Sequence, residues 1–199
     1  MLANFASICR RMDPLRRFLP SSPSGPRVYA GTEFGLGLHW DVHGPWHLVD
    51  GSLNGQKTFW DNDDALFRSE AGVPGATSLE LMQKYAGELD CKPFEMMNPF
   101  WRRYYYYHQY ELFESHYGRQ PDSLEEYVPW SQQLQADGLA VAAESSKNRF
   151  PACGGIIIWM GHDAWPCPEN TSLINYDGSE KPAVAALQKV FTRRDTSGD

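Results

Sequence analysis

Ala65-Leu66-Phe67-Arg68-Ser69-Glu70-Ala71-Gly72 carries a short apolar stretch into a carboxylate and then into small residues that permit a sharp turn. An α/β barrel presents catalytic groups this way, at the C-terminal end of a strand where the loop begins. A second strand-like run, Cys153-Gly154-Gly155-Ile156-Ile157-Ile158-Trp159, continues into Met160-Gly161-His162-Asp163-Ala164-Trp165-Pro166. It should set aromatic and polar groups at the same rim. A carboxylate among tryptophans suits sugar chemistry, because the C–H face of a sugar stacks on an aromatic plane.

The rest of the chain reads as alternating elements around these two strands. Leu2, Phe5, Ile8 or Cys9, and Met12 fall at helical spacing, so a helix is under way at the first residues without an N-cap, as in an excised or truncated piece. It must stop before Pro14, because proline disfavours helical geometry in the residue preceding it. Arg17-Phe18-Leu19-Pro20 reads as a short strand leading into the turn-rich Ser21-Ser22-Pro23-Ser24-Gly25-Pro26. Leu36 to His43 reads as a strand, and a polar loop with Asp50-Gly51 and Asn54-Gly55 comes next. Ser78 caps a helix to Ala86, and the aromatic block Phe100 to Tyr117 suits a long helix. Ser123-x-x-Glu126 forms a capping box for a helix to about Ser145, kinked near Pro129. Lys181-Pro182 opens a last helix with Ala183, Ala186, Leu187 and Val190 on one face. The order helix, strand, strand, strand, helices, strand, helix argues for a parallel sheet with outer helices, too few strands to close an eight-stranded barrel. Residues 1–192 form one domain on this reading, and 193–199 a frayed tail.

Composition narrows the function. The 199 residues bury a real core, and 7 Trp, 10 Tyr and 10 Phe make the chain rich in rings, which line sugar sites or fill interiors. With a net charge of -7 and no basic stripe, nucleic acid is not an expected partner. No apolar run approaches the ~20 residues that span a bilayer, so no membrane partner is expected. Cys9, Cys91, Cys153 and Cys167 contain no C-x-x-C spacing; Cys153 reads as a buried thiol. Ser69 lies outside a G-x-S-x-G elbow, and no phosphate-binding glycine loop occurs.

Several stretches, in order, resemble glycoside hydrolase family two on its β-mannosidase side. Asp13-Pro14-x-Arg16 with Pro20-Ser21-Ser22-Pro23 is one, and His39-Trp40-Asp41-Val42 resembles the sixth-strand motif. Arg68-Ser69-Glu70-Ala71-Gly72 resembles the nucleophile motif Ser-Glu-Phe-Gly. Gly154-Gly155 through Trp159, His162 to Pro166, and Asn175 to Pro182 resemble the eighth strand and the helix after it. The resemblance implies an α/β fold that is part of a (β/α)8 TIM barrel, strands five to eight with their outer helices. It implies a retaining exo-β-glycosidase acting on terminal β-linked sugars, β-mannosides foremost, without metal or organic cofactor. Such enzymes hold two carboxyl groups ~5–5.5 Å apart, one attacking and one protonating the leaving oxygen. Glu70 matches the attacking group. In the family the proton donor comes after an Asn at the end of the fourth strand; this chain has no Asn-Glu pair, so its expected place is upstream of Met1. Ala71 replaces the motif phenylalanine, Pro74 replaces a polar residue, and Trp159-Met160-Gly161-His162-Asp163 departs from Trp-Gln-Leu-Asn-Asp.

Each candidate has a plainer role beside the chemical one. Glu70 is either the nucleophile or a solvated loop glutamate, and Arg68 on the same strand could help keep it ionised. His39, Asp41 and His43 alternate along a strand and should face one way, as a metal site or as the polar rim of a sugar pocket. The resemblance favours sugar binding for His39 and Trp40. Trp159 either floors the sugar subsite or caps the core; Asp163 either bonds a sugar hydroxyl or orients a loop. The alternative to an enzyme is a carbohydrate-binding or catalytically degenerate barrel fragment. Open strand edges should invite self-association.

Overall fold

The computed structural model describes residues 1–102 and 109–193. Among them the chain is a mixed α/β fold with a small parallel sheet and seven α-helices. The sheet comprises β1 (Asp41–His43), β2 (Phe67–Ala71) and β4 (Ile156–Ile158), all parallel, in the order β1-β2-β4. Tyr29 adds a parallel bridge to His43 outside β1. A second, antiparallel pair joins β3 (Gly75–Ala76) to β5 (Glu169–Asn170), which the sequence does not suggest.

The helices that cover the sheet arise from local chemistry. α2 (Leu53–Asn62) connects β1 to β2, and its N-cap Ser52 accepts from the Gly55 N–H at 2.9 Å. It turns Phe59 and Trp60 inward, where they meet Ala71 of β2 and Ala142 of α6 (Leu124–Asn148). α6 packs along both α2 and α7 (Pro182–Thr192). Gly138 lets it approach closely, since a Cβ there would stand 2.6 Å from Leu48 Cδ2 and 3.1 Å from Val73 Cγ2. α6 is also tied by polar bonds. Gln135 Nε2 donates to Val73 O and Ser172 O at 3.0 Å each, and Ser131 Oγ accepts from Ala76 N at 2.9 Å. The main core gathers Leu48, Trp101, Phe113, Tyr127, Leu139 and Leu187. Each large side chain removed from water there contributes about 2–3 kcal/mol.

Several expectations need correction. Arg17–Pro20 forms no strand; the segment beside β1 is the one around Tyr29. The expected strand Leu36–His43 shrinks to Asp41–His43, because Gly35 and Gly37 take φ of 77° and 66° and break extension. The polar loop after it is a 3₁₀ turn, Val49–Gly51, and then α2. Ser123 makes no side-chain cap bond; Glu126 instead accepts from Asp122 N at 2.8 Å and from Arg119. α6 runs through Pro129 as one helix. Ser78 caps α3 (Leu79–Ala86) as expected, accepting from Leu81 N at 3.2 Å. α1 (Leu2–Met12) forms, yet none of its residues is buried. The aromatic block holds α4 (Pro99–Arg102) and α5 (Tyr110–Tyr117); Tyr104 to Tyr107, and the tail from residue 194, lie outside the described residues. All four cysteines are free thiols, with Cys153 and Cys167 buried.

Candidate active site

Glu70 lies at the C-terminal end of β2, as the sequence indicates. The pairing of β2 is irregular there on both sides. Val42 pairs Arg68 but His43 pairs Glu70, while Arg68 pairs Ile156 and Ala71 pairs Ile158. One extra residue on β2 is a bulge, and a bulge re-aims the side chains beyond it. The result separates Arg68 from Glu70. Arg68 is fully buried, sits over the Phe59 and Trp60 rings at 5.5 and 5.4 Å, and donates to both oxygens of Asp63 and to Gly44 O. It is committed to the interior and does not serve the Glu70 carboxylate.

The neighbour Glu70 does have is His43. Its Nδ1 lies 3.4 Å from Glu70 Oε2, with the glutamate side chain 25% exposed. The other ring nitrogen, Nε2, is 3.2 Å from Ser22 Oγ, which donates to Ser69 Oγ at 2.8 Å. Trp46 stands edge-on to the His43 ring at 6.3 Å and to Tyr29 at 5.9 Å. Gly44, at φ 75°, turns the chain out of β1 and allows this, since a Cβ there would press on the Trp46 ring at 3.1 Å. The exits of β2 and β4 also close on one another. A Cβ on Gly72 would fall 2.6 Å from Trp159 O, and Trp159 N donates to Ala71 O at 2.9 Å.

The other named residues divide. Trp40 and Trp159 are exposed, at 46% and 39%. Trp159 leaves β4 at the Glu70 end of the sheet, its N–H donating to Ala71 O. Trp40 precedes β1 at the opposite end, its O accepting from Phe67 N, so the structure does not bring Trp40 to the expected rim. His39 is buried, its Nδ1 2.5 Å from Asp64 Oδ1. Burial works against ionisation of Asp64, but the His39 bond and the Gly35 N–H at 2.6 Å hold its carboxyl below the usual range. Asp163 is buried and accepts from Asn170 Nδ2 at 3.1 Å and from Cys167 Sγ at 3.4 Å, so the structure places it in the interior. His39, Asp41 and His43 do not converge: they turn respectively to Asp64, Ser24 and Glu70. Among the described residues, the His, Cys and acidic side chains near enough to share an ion are His39, Asp63 and Asp64. Arg68 and Arg149 both bond Asp63, and two guanidinium groups oppose a cation there. The sequence assigns no role at the site to Ser22, Ser69 or Trp46, which the fold brings beside His43; Ser22 sits inside the Pro20–Pro23 run, and that run is the available signal.

The fold that carries this carboxylate and histidine is similar to that of a solved glycoside hydrolase chain. The solved β-D-mannosidase of Dictyoglomus thermophilum superposes with a TM-score of 0.65 at 22% identity, covering 92% of this chain and 22% of that chain. An endo-1,4-β-xylanase from Penicillium canescens aligns at 19% identity and a TM-score of 0.42, over 80% of this chain and 38% of that one. The chain thus spans about a fifth of the mannosidase's length. No family model matches the chain, and no curated protein matches it in sequence.

Proposed function

We propose that these residues supply strands five to eight of a (β/α)8 barrel in a retaining exo-β-glycosidase of family-two type, with the bridge segment at Tyr29, β1, β2 and β4 in those places, and that Glu70 is its nucleophile. The observation that carries this reading is the placement of Glu70: end of a parallel strand, re-aimed by a bulge, partly exposed and 3.4 Å from His43 Nδ1. The ionised carboxylate attacks the anomeric carbon, the glycosidic C–O bond breaks, and a glycosyl ester forms on Glu70. The leaving oxygen takes its proton from a carboxylic acid outside these 199 residues. Water then attacks the ester and restores Glu70. Trp159, at the Glu70 end of the sheet, offers a stacking plane to the sugar, and β-mannosides are the favoured substrates. Neither step calls for a metal or organic cofactor.

The test is hydrolysis of an aryl β-mannoside by the polypeptide at its natural length. Glu70→Gln should lower kcat by roughly 10³-fold or more, as loss of a covalent nucleophile does. Azide should restore turnover to Glu70→Gly. Near-normal turnover by Glu70→Gln removes the assignment. The alternative is a carbohydrate-binding or catalytically degenerate barrel fragment. Calorimetric titration with mannose separates the two: binding without turnover in the natural-length protein supports it.

A further inference from the structure

A cavity of about 200 Å³ lies between α3 and the segment Pro166–Pro168. Its walls are Leu81, Met82, Tyr85 and Phe100 with the two prolines, and none of its lining residues carries a charge. Besides the exposed Tyr85, two buried residues bring polar groups to the wall. Thr77 donates its hydroxyl proton to Asn175 Oδ1 at 3.1 Å, so what it can still offer is an acceptor lone pair. Cys167 donates to Asp163 at 3.4 Å, and burial followed by the Asp163 charge pushes its thiol up to about 12. A thiol so held is not a nucleophile at neutral pH, so a guest would be held without a covalent bond. The cavity opens to one side, contains a methionine sulfur suited to a ring edge, and offers the Thr77 lone pair as a buried acceptor.

We infer that this cavity is a binding site for a small neutral aromatic ring bearing one hydrogen-bond donor, a phenol or its close analogue. The site is built from chain that leaves the C-terminal ends of β2 and β4: Thr77 comes directly after β3, and its N–H donates to Pro168 O at 2.8 Å. It stands apart from the Glu70 carboxylate, and the inference does not depend on glycosidase activity.

The chain has six methionines, and Met82 is the one that lines the cavity. The protein labelled with ¹³C at its methionine methyls is titrated with phenol, the Met82 signal being assigned with Met82→Leu. Saturable movement of the Met82 methyl is expected while Met1, Met12, Met96, Met97 and Met160 stay still. Anisole, which has no donor, should bind at least threefold more weakly. Ala86→Trp, which fills the mouth, should weaken phenol at least tenfold while the methyl spectrum stays dispersed; if that variant does not fold, Leu89→Trp at the rim replaces it. Unsaturable drift of all methionines together, equal binding of anisole, or undiminished affinity in the filled variant overturns the inference.

Discussion

Arg68 and Glu70 share one short strand, and the bulge between Arg68 and Ala71 decides which faces the interior. Strict alternation would have put both on one face. The sequence shows a strand and a carboxylate, so Glu70 was legible; a bulge leaves no pattern in five residues, so the separation from Arg68 was not. The fate of Arg68 is testable by urea unfolding. Arg68→Met leaves Asp63 buried with Arg149 as its remaining cation, and should cost about 3 kcal/mol, as breaking one side of a buried ion pair does. A loss under about 1 kcal/mol would place Arg68 among the surface pairs. His39 and Asp163 show the same limit of sequence: polar residues near a rim read as sugar contacts, yet both found buried partners inside the chain.

Elements marked by caps and periodicity were the most legible. Ser78 before α3 and Pro182 opening α7 announced themselves, because a cap or an N-terminal proline acts through neighbours in sequence. α2 did not, because Asn54-Gly55 in its first turn reads as a turn, and packing of Phe59 and Trp60 overrides that local preference. Lys181, the N-cap of α7, joins elements far apart in sequence. Its Nζ donates to Gly75 O at 2.8 Å and to Ser172 Oγ at 3.0 Å. Burial pulls its pKa down to about 8, partly offset by Asp163, Cys167 and Glu169. Between pH 8 and the unfolded value of 10.5 the unfolded chain binds more protons, so this group makes stability rise with pH through that window, by about 3 kcal/mol in all. Cys167 acts oppositely from pH 9 to about 12, its folded thiol holding a proton that the unfolded one releases. The two are separated by following thermal unfolding of wild type and Lys181→Met from pH 7 to 10.5. The wild type should gain relative to the variant across that range; parallel curves would contradict the burial of a titrating amine. Gly72→Ala should also destabilise, by about 1–3 kcal/mol, because its Cβ meets the Trp159 carbonyl and Thr171.

At the scale of the molecule, the sheet ends at β4, and apolar side chains lie open around it: Leu66, Ile157 and Trp159 are all exposed. A parallel sheet is ordinarily covered on both faces, and an unpaired edge is a template for another strand. The isolated chain is therefore expected to self-associate, giving by light scattering after size exclusion a mass that grows with concentration; a clean monomer at high concentration would count against open strand edges. The parallel order was legible from the alternation of strands and helices, whereas the antiparallel pair of β3 and β5 was hidden, being too short to carry a period.

The account stands most directly on Glu70 forming the glycosyl ester, and mass spectrometry can see that bond. The natural-length protein is incubated with a 2,4-dinitrophenyl 2-deoxy-2-fluoro-β-mannoside, whose leaving group departs without an acid, and is then digested. A fluoroglycosyl adduct should appear on the peptide containing Glu70 and vanish in Glu70→Gln. An adduct on a different carboxylate, or equal labelling of Glu70→Gln, would contradict it.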